Sequence, residues 1–269
     1  MSAAVSAGVP AGVFGDRDED ARERHRLLSA AYDPMTVENL ARTGVGPGWR
    51  CLEVGAGNGT VAAWLDERVA PSGRVVATDV RPDPDAAGPP VTRHDIVRDP
   101  LPDAGYDLVH ARLVLRLLPE RAAVLDRLVR ALKPGGVLQL DEFDATAAPA
   151  VRVPSPAARK LYEEYTAAKN RLMARAGVDV AWGRHVAREM VAAGLTGVAV
   201  RSRAEVWDAG SAGLRLLAHH GRHLHDGLVR EGMTGARLDA VRDLLADPGF
   251  RARSYIMYSV QGRRPREVR

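Results

Sequence analysis

The stretch Leu52-Glu53-Val54-Gly55-Ala56-Gly57-Asn58-Gly59-Thr60 decides the fold. An apolar run from Arg50 to Val54 enters it as a buried strand, and a helix from Val61 to Val69 leaves it. Glycine is needed where the backbone takes positive φ or lies against a ligand with no Cβ in the way. In open α/β sheets, ligands bind beyond the carboxyl ends of strands, near the point where strand order reverses. Asp79 ends the next apolar run, Gly73 to Asp79, where a carboxylate is placed to accept hydrogen bonds from two ribose hydroxyls. A dinucleotide site calls for G-x-G-x-x-G, which sets a pyrophosphate on a helix N-terminus. The spacing here is G-x-G-x-G, with Glu53 two residues before the first glycine. That carboxylate would repel a pyrophosphate and suits a ligand with a cationic amino-acid end.

Outward from this turn the pattern alternates. A weak third strand lies around Val91 to His94 and a fourth runs from Tyr106 to His110. A helix follows from about Arg121 to Leu132, ended by Lys133-Pro134-Gly135-Gly136, and then a fifth strand from Val137 to Asp141. Strands alternating with helices imply a parallel sheet covered on both faces. Later segments depart from this order. Ser155 to about Gly177, Val186 to Ala193 and, with interruptions, Ser211 to Leu245 are helical; Gly197 to Val206 and Tyr255 to Val260 are strands. Before the turn, Asp18 to Ala31 is a charged helix. Asp33 as N-cap and Pro34 at the first helical position start a second one, running to about Thr43. The expected organisation is a flexible tail over residues 1–17 and one domain over residues 18–269. Within it, residues 18–45, about 155–180 and 208–248 form a helical cap over the ligand edge.

Composition narrows the class. With 46% hydrophobic and 27% charged residues the chain is an ordinary globular protein. No apolar run reaches about 18 residues, so no membrane partner is expected. The net charge of +4 is mild, and the charges are mixed in sign, as in Asp16-Arg17-Asp18-Glu19-Asp20, which reads as a solvated face and not as a nucleic-acid footprint. The single Cys51 excludes an internal disulfide framework and a cysteine-built zinc site, and points to a reducing cytoplasm. The first fifteen residues make a poor secretory signal.

Several motifs together carry a resemblance: Glu53-Val54-Gly55-Ala56-Gly57-Asn58-Gly59, Thr78-Asp79, Arg93-His94-Asp95-Ile96, Tyr106-Asp107-Leu108-Val109-His110-Ala111-Arg112 and Leu132-Lys133-Pro134-Gly135-Gly136. They resemble the class I S-adenosylmethionine-dependent methyltransferases, and more narrowly the small-molecule branch common in actinomycetes. Ala31-Tyr32-Asp33-Pro34-Met35-Thr36 and the segment from Ala246-Asp247-Pro248-Gly249-Phe250 to Gly262-Arg263-Arg264-Pro265 resemble that branch too. The resemblance implies a Rossmann-like, seven-stranded, mostly parallel sheet with an antiparallel last strand, and S-adenosylmethionine as cofactor. It implies that Glu53, Gly55, Gly57 and Asn58 meet the methionine end and that Asp79 holds the ribose. Val80 or Arg81 would lie beside the adenine, Asp95 and Ile96 would meet its edge, and His110 and Ala111 would border the sulfonium side; Asp95 as a turn cap and His110 as a histidine packed behind the site are the competing readings.

Methyl transfer is an in-line displacement at a carbon activated by the cofactor. Alignment alone can lower such a barrier by about 7–11 kcal/mol, so no strong catalytic signature is required. Candidate bases are Asp141, Glu142 and Asp144 after the fifth strand, for which a structural or cofactor-shell role stands level, and the histidines His219, His220 and His223, with His225 beyond them. His219 and His223 are four apart, on one helix face, and histidine is well poised for proton transfer near neutral pH. A solvated helix face competes with that role; a metal site is the weakest option, so no metal is expected. Many relatives carry a histidine just before Leu-Pro-Glu, but this chain has Leu115-Arg116-Leu117-Leu118-Pro119-Glu120. Tyr32, Phe143, Tyr165 and Trp182, with Tyr162 and Trp207, are expected near the mouth as an acceptor pocket, although ordinary helix packing competes with that role for Tyr162 and Tyr165 and is the favoured reading of those two. The leading expectation is methyl transfer to a small molecule in secondary metabolism. A cofactor-binding but non-catalytic protein acting in a complex is the alternative. Base methylation is disfavoured by His110-Ala111-Arg112-Leu113 standing where Asn/Asp-Pro-Pro-aromatic would be, and an NAD oxidoreductase by the glycine spacing.

Overall fold

The computed structural model describes residues 18–266; the tail expected over residues 1–17 lies outside them. The described strands are β1 (Arg50–Val54), β2 (Arg74–Asp79), β3 (Val91–Arg93), β4 (Tyr106–Arg112), β5 (Leu132–Asp144), β6 (Ala150–Arg152), β7 (Thr196–Arg203), β8 (Val206–Asp208), β9 (Arg251–Arg253) and β10 (Ile256–Arg263). Seven of them form one sheet in the order β3-β2-β1-β4-β5-β10-β7. β1 to β5 pair in parallel, while β10 enters between β5 and β7 antiparallel to both. Strand order reverses between β1 and β4, and the glycine turn leaves the carboxyl end of β1 at that point.

Side chains alternate between sheet faces with period two. Cys51, Leu108 and Val137 pack beneath α2 (Thr60–Val69) and the end of α1 (Asp18–Ala41). Leu52, Val54, Val109, Ala111, Leu138 and Leu140 pack on the opposite face against α3 (Arg121–Ala131) and α5 (Val186–Ala192). Burial on both faces explains the near-continuous apolar runs of β1 and β4.

The remaining helices gather over the carboxyl ends of the strands. α4 (Pro156–Arg175), α6 (Ala212–His223), α7 (His225–Arg230) and α8 (Gly235–Ala246) share an apolar cluster with Tyr32 and Met35 of α1 and Phe143 of β5. Three begin on a hydroxyl cap: Ser155, Ser211 and Thr234 accept from the N–H of Ala158, Leu214 and Arg237. Such caps contribute about 1 kcal/mol each. No helix among the described residues is long and apolar enough to cross a membrane.

Three local expectations need correction. Residues 18–43 do not form two helices: α1 is continuous with Pro34 inside it. Proline removes one helical hydrogen bond, but Tyr32, Met35 and Thr36 on either side are buried and carry the helix across. Asp33 does not cap; its Oδ1 lies 2.7 Å from Arg112 Nη1. The strand expected over 197–206 stops at Arg203, where Ser254 ties off the chain by bonding Glu205. Val206 to Asp208 instead joins β6 and β9 in a separate small sheet.

Candidate active site

The glycines shape the turn after β1. Gly55, Gly57 and Gly59 all take positive φ, at 71°, 56° and 78°. A Cβ on Gly55 would lie 2.5 Å from Val114 Cγ2, and one on Gly59 2.2 Å from the Ala87 carbonyl oxygen. The N–H groups of Gly55 and Ala56 donate to Thr78 O at 2.8 and 2.9 Å, hooking the turn onto the end of β2. The next donor, Gly57 N–H, goes to Asp79 Oδ2 at 3.0 Å, and Arg81 N–H goes to Asp79 Oδ1 at 2.9 Å. A carboxylate offers about four lone-pair sites, so each oxygen fixed this way still has one for a ligand hydroxyl. α1 roofs the turn: Ser29 Oγ donates to Asn58 Oδ1 at 3.0 Å, and Thr60 Oγ1 donates to Ser29 Oγ at 3.1 Å.

A cavity of about 350 Å³ opens above the turn. One end is lined by Gly55, Gly57, Asn58, Asp79, Val80, Arg81, Asp95 and Ile96. Asp95 is held in place there, its Oδ1 accepting from Val97 N–H at 2.9 Å. The other end is walled by Tyr32, Phe143, Trp207, Tyr255, Met173 and Leu217, among which stand Arg116, Lys169 and His220. One space therefore joins a polar, loop-built end to an aromatic, helix-built end.

Three residues expected at the cofactor are not on this wall. Ala111 faces the core beneath α3. Glu53 and His110 are opposite each other in the β1–β4 register and bond across it, His110 Nδ1 to Glu53 Oε2 at 2.6 Å. The far nitrogen, His110 Nε2, lies 3.3 Å from Asp141 Oδ2, and Gln139 Nε2 donates to both Asp141 oxygens at 3.2 and 3.3 Å. Burial alone would push the His110 imidazole down, but the carboxylates of Glu53 and Asp141 outweigh it and raise it to about 9. At neutral pH it is an imidazolium between two carboxylates. Burial likewise opposes ionisation of Asp141, yet the hydrogen bond from His110 holds it below its ordinary value.

The other candidate bases are also engaged. Burial pushes Glu142 up to about 8; its Oε1 accepts from Leu115 N–H at 2.9 Å. Asp144 Oδ1 accepts from the N–H and hydroxyl of Thr146, and Oδ2 pairs with Arg184. The histidine cluster divides between two sides of α6. His220 lines the cavity, and burial pushes it well below its ordinary value. His219 and His223 stack on each other at 5.8 Å and meet Asp20 of α1, whose Oδ2 lies 3.3 Å from His223 Nδ1. Their ligand-capable atoms and that of Asp20 lie within 4.8 Å of one another, a carboxylate neighbour that sequence spacing does not show.

The acceptor residues also need correction. Tyr32 and Phe143 line the cavity, whereas Tyr165 and Trp182 do not. Tyr165 is turned into the cap, its hydroxyl donating to Leu217 O at 2.6 Å. Trp182 packs beneath β5 with Arg121 over its ring at 5.4 Å. Sequence reasoning missed Arg116, Lys169, Tyr255 and, at the polar end, Arg24 and His25 of α1. Arg116 sits between leucines in Leu115-Arg116-Leu117, the one local hint of a buried cation. Lys169 gives no such hint.

Comparison with known proteins agrees with this geometry. A family model described as a methyltransferase domain matches residues 17–200. Among curated relatives, methyltransferase str2 of Strobilurus tenacellus is 37% identical over 101 residues, covering 35% of this chain and 36% of that protein. The ubiquinone/menaquinone biosynthesis C-methyltransferase UbiE of Cupriavidus necator is 31% identical over 151 residues, covering 52% of this chain and 62% of that protein. The chain thus spans between about a third and three-fifths of these relatives. Among solved structures, the YcgJ protein of Bacillus subtilis superposes with a TM-score of 0.54 at 14% identity, covering 87% of this chain and 99% of that one. Phosphoethanolamine N-methyltransferase 2 of Haemonchus contortus, bound to S-adenosylhomocysteine, gives 0.52 at 13% identity, with 87% and 53% covered. The [4+2]-cyclase SpnF gives 0.51 at 18% identity, with 87% and 81% covered. With the family model matching more than half its length, the glycine turn at the strand-order reversal and the Asp79 carboxylate beside it, the chain belongs to the S-adenosylmethionine-dependent methyltransferase family.

Proposed function

We propose that this chain transfers the methyl group of S-adenosylmethionine to a small-molecule acceptor of natural-product type, held at the aromatic end of the cavity. The observation that carries this reading is that one cavity joins the Asp79 end to the Tyr32–Phe143–Trp207 end, so donor and acceptor share a single space. The polar end fits the cofactor chemically. Asp79 keeps free lone pairs for a ribose diol, Asp95 supplies an acceptor for an exocyclic amine, and the glycines leave the backbone bare where an amino-acid end would lie. When bound, the cofactor supplies a methyl carbon already activated by a sulfonium.

The protein's share is alignment and water exclusion. Tyr32, Phe143, Trp207 and Tyr255 provide rigid apolar walls. Proton removal, where an acceptor needs it, falls to groups in the cavity. His219 and His223 face Asp20 and are poorly placed for it. His220 is neutral but weakly basic after burial. Burial pushes Lys169 down to about 7, with Arg116 adding to the effect, so near neutral pH it is divided between the amine, which can take a proton, and the ammonium, which can pair with an acceptor that arrives ionised.

The second reading, binding without transfer, has a specific observation behind it: the fold is shared with a [4+2]-cyclase, and a fold does not fix its chemistry. The test is incubation of the purified protein with methyl-labelled S-adenosylmethionine and a panel of aromatic acids, phenols and amines. Label in an acceptor product, with stoichiometric S-adenosylhomocysteine, is the expected result. Tight cofactor binding with no label transferred to any member would favour the second reading.

A further inference from the structure

We propose that Arg116 and Lys169 form an anion-binding subsite that selects flat, apolar acceptors carrying an anionic oxygen group, either a carboxylate or an ionised ring hydroxyl. Calling the ligand an acceptor rests on the methyl-transfer reading; the subsite itself rests on geometry.

Both side chains line the cavity and both are almost wholly buried, at 8% and 4% exposure. They come from distant parts of the chain, Arg116 from the turn after β4 and Lys169 from the middle of α4. They meet on a single aromatic wall. Arg116 Cζ lies 5.4 Å from the Phe143 ring centre, Lys169 Nζ lies 4.6 Å from the Tyr255 ring centre, and the two rings are 5.5 Å apart. Two cations on adjoining rings can reach one anionic group between them.

Glu142 and Asp179 attract Arg116, but only from beyond ion-pair distance. Among the described residues neither cation has a carboxylate within ion-pair distance, and Arg116 Nε is buried without a hydrogen-bond partner. The hydroxyl of Tyr255 is also buried and unpartnered. The nearby acids are otherwise engaged. Glu142 Oε1 accepts from the backbone N–H groups of Leu115 and Arg116, and burial pushes that acid up to about 8, which keeps it neutral at pH 7. Asp179 lies towards Arg121, its Oδ2 3.9 Å from Arg121 Nη1. His220 and Arg24, the other titratable groups acting on Lys169's surroundings, add no negative charge. Burying an ion without a partner is strongly unfavourable, and two like charges side by side worsen it. Ring faces soften that cost but do not remove it. A ligand anion would remove it, and the surrounding Phe143, Tyr255, Tyr32 and Trp207 suit a flat apolar body attached to that anion.

The experiment is calorimetric titration of the full-length protein, with and without saturating S-adenosylhomocysteine. The probes are 2-naphthoate, 2,4-dinitro-1-naphtholate and the neutral isostere 2-naphthamide. The expected result is that at least one anion binds 10-fold or more tightly than the amide, about what one or two charge-assisted hydrogen bonds provide; which anion wins separates carboxylate from ionised hydroxyl. Arg116→Gln and Lys169→Gln should each erase most of that preference while S-adenosylhomocysteine binds as in the parent. Lys169→Met, which removes a buried charge and keeps the volume, should raise Tm by about 3 °C or more; a structural lysine would give a fall. Equal binding of amide and anions, no binding of either anion, or a preference that survives both glutamine variants would overturn the subsite. Failure of S-adenosylhomocysteine to bind would count against the methyl-transfer reading instead, and the titrations without it would still decide the subsite.

Discussion

Two buried charged clusters lie near the end of β4, and they are built on opposite principles. In the first, His110 is clasped by Glu53 and Asp141, with Gln139 closing the set and α1 laid over it through Thr36. Its charges are answered from within the fold. In the second, Arg116 and Lys169 stand on the Phe143–Tyr255 wall, and no acid among the described residues closes an ion pair with either. A closed cluster holds the sheet and α1 together; an open one is left for something that arrives. Burial alone does not tell the two apart. What separates them is whether the partners are already present.

Single substitutions should separate the two clusters. The largest effect belongs to the closed cluster. His110→Leu leaves the carboxylates of Glu53 and Asp141 buried without their cation and should cost about 3–5 kcal/mol in urea unfolding. A loss below about 1 kcal/mol would mean that His110 is not the cation that balances Glu53 and Asp141.

Next in size is a pair of opposite pH slopes. His110 is raised to about 9 in the folded protein. Its contribution is fully present below its unfolded value of about 6.5 and is lost as pH rises towards 9. Lys169 is lowered to about 7. Its cost is fully present below pH 7 and is relieved as pH rises towards about 10.4, because there the unfolded chain binds the proton that the folded chain does not. Between pH 7 and 9, His110→Gln should therefore abolish a falling component of stability, and Lys169→Met a rising one. Parallel curves for the parent and both variants would remove the distinction between the clusters. The smallest effect is on the neutral member. Gln139→Leu should cost only about 1 kcal/mol, since it removes a neutral donor and no charge, and a loss as large as that of His110→Leu would contradict the assigned roles.

The same contrast explains how much of the molecule was legible in the sequence. The polar end of the cavity is made of adjacent residues whose backbone needs are local. Gly55, Gly57 and Gly59 adopt positive φ, and Asp79 ends the neighbouring strand, so spacing alone located them. The parallel sheet was equally legible from its apolar runs. The failures were all tertiary. Glu53 and His110 lie on β1 and β4 where expected, but their side chains turn to each other beneath the cavity, which depends on the β1–β4 register. Pro34 reads locally as a helix start, and only the burial of Tyr32 and Thr36 carries α1 past it. Three-residue strands such as β6, β8 and β9 are too short to carry a period-two pattern. Tyr165 and Trp182 sit on the expected elements but point into the packing. Lys169 stands among alanines and an asparagine, a setting that looks solvated until α4 is docked onto the strand ends.

The most direct test of the whole account is calorimetric titration of S-adenosylmethionine into the parent protein and into Asp79→Ala. Saturable binding at one site is expected in the parent, and a loss of roughly 100-fold when the carboxylate held by Gly57 and Arg81 is removed, as for two hydrogen bonds to a charged acceptor. No heat in the parent, or equal affinity in the two proteins, would contradict it.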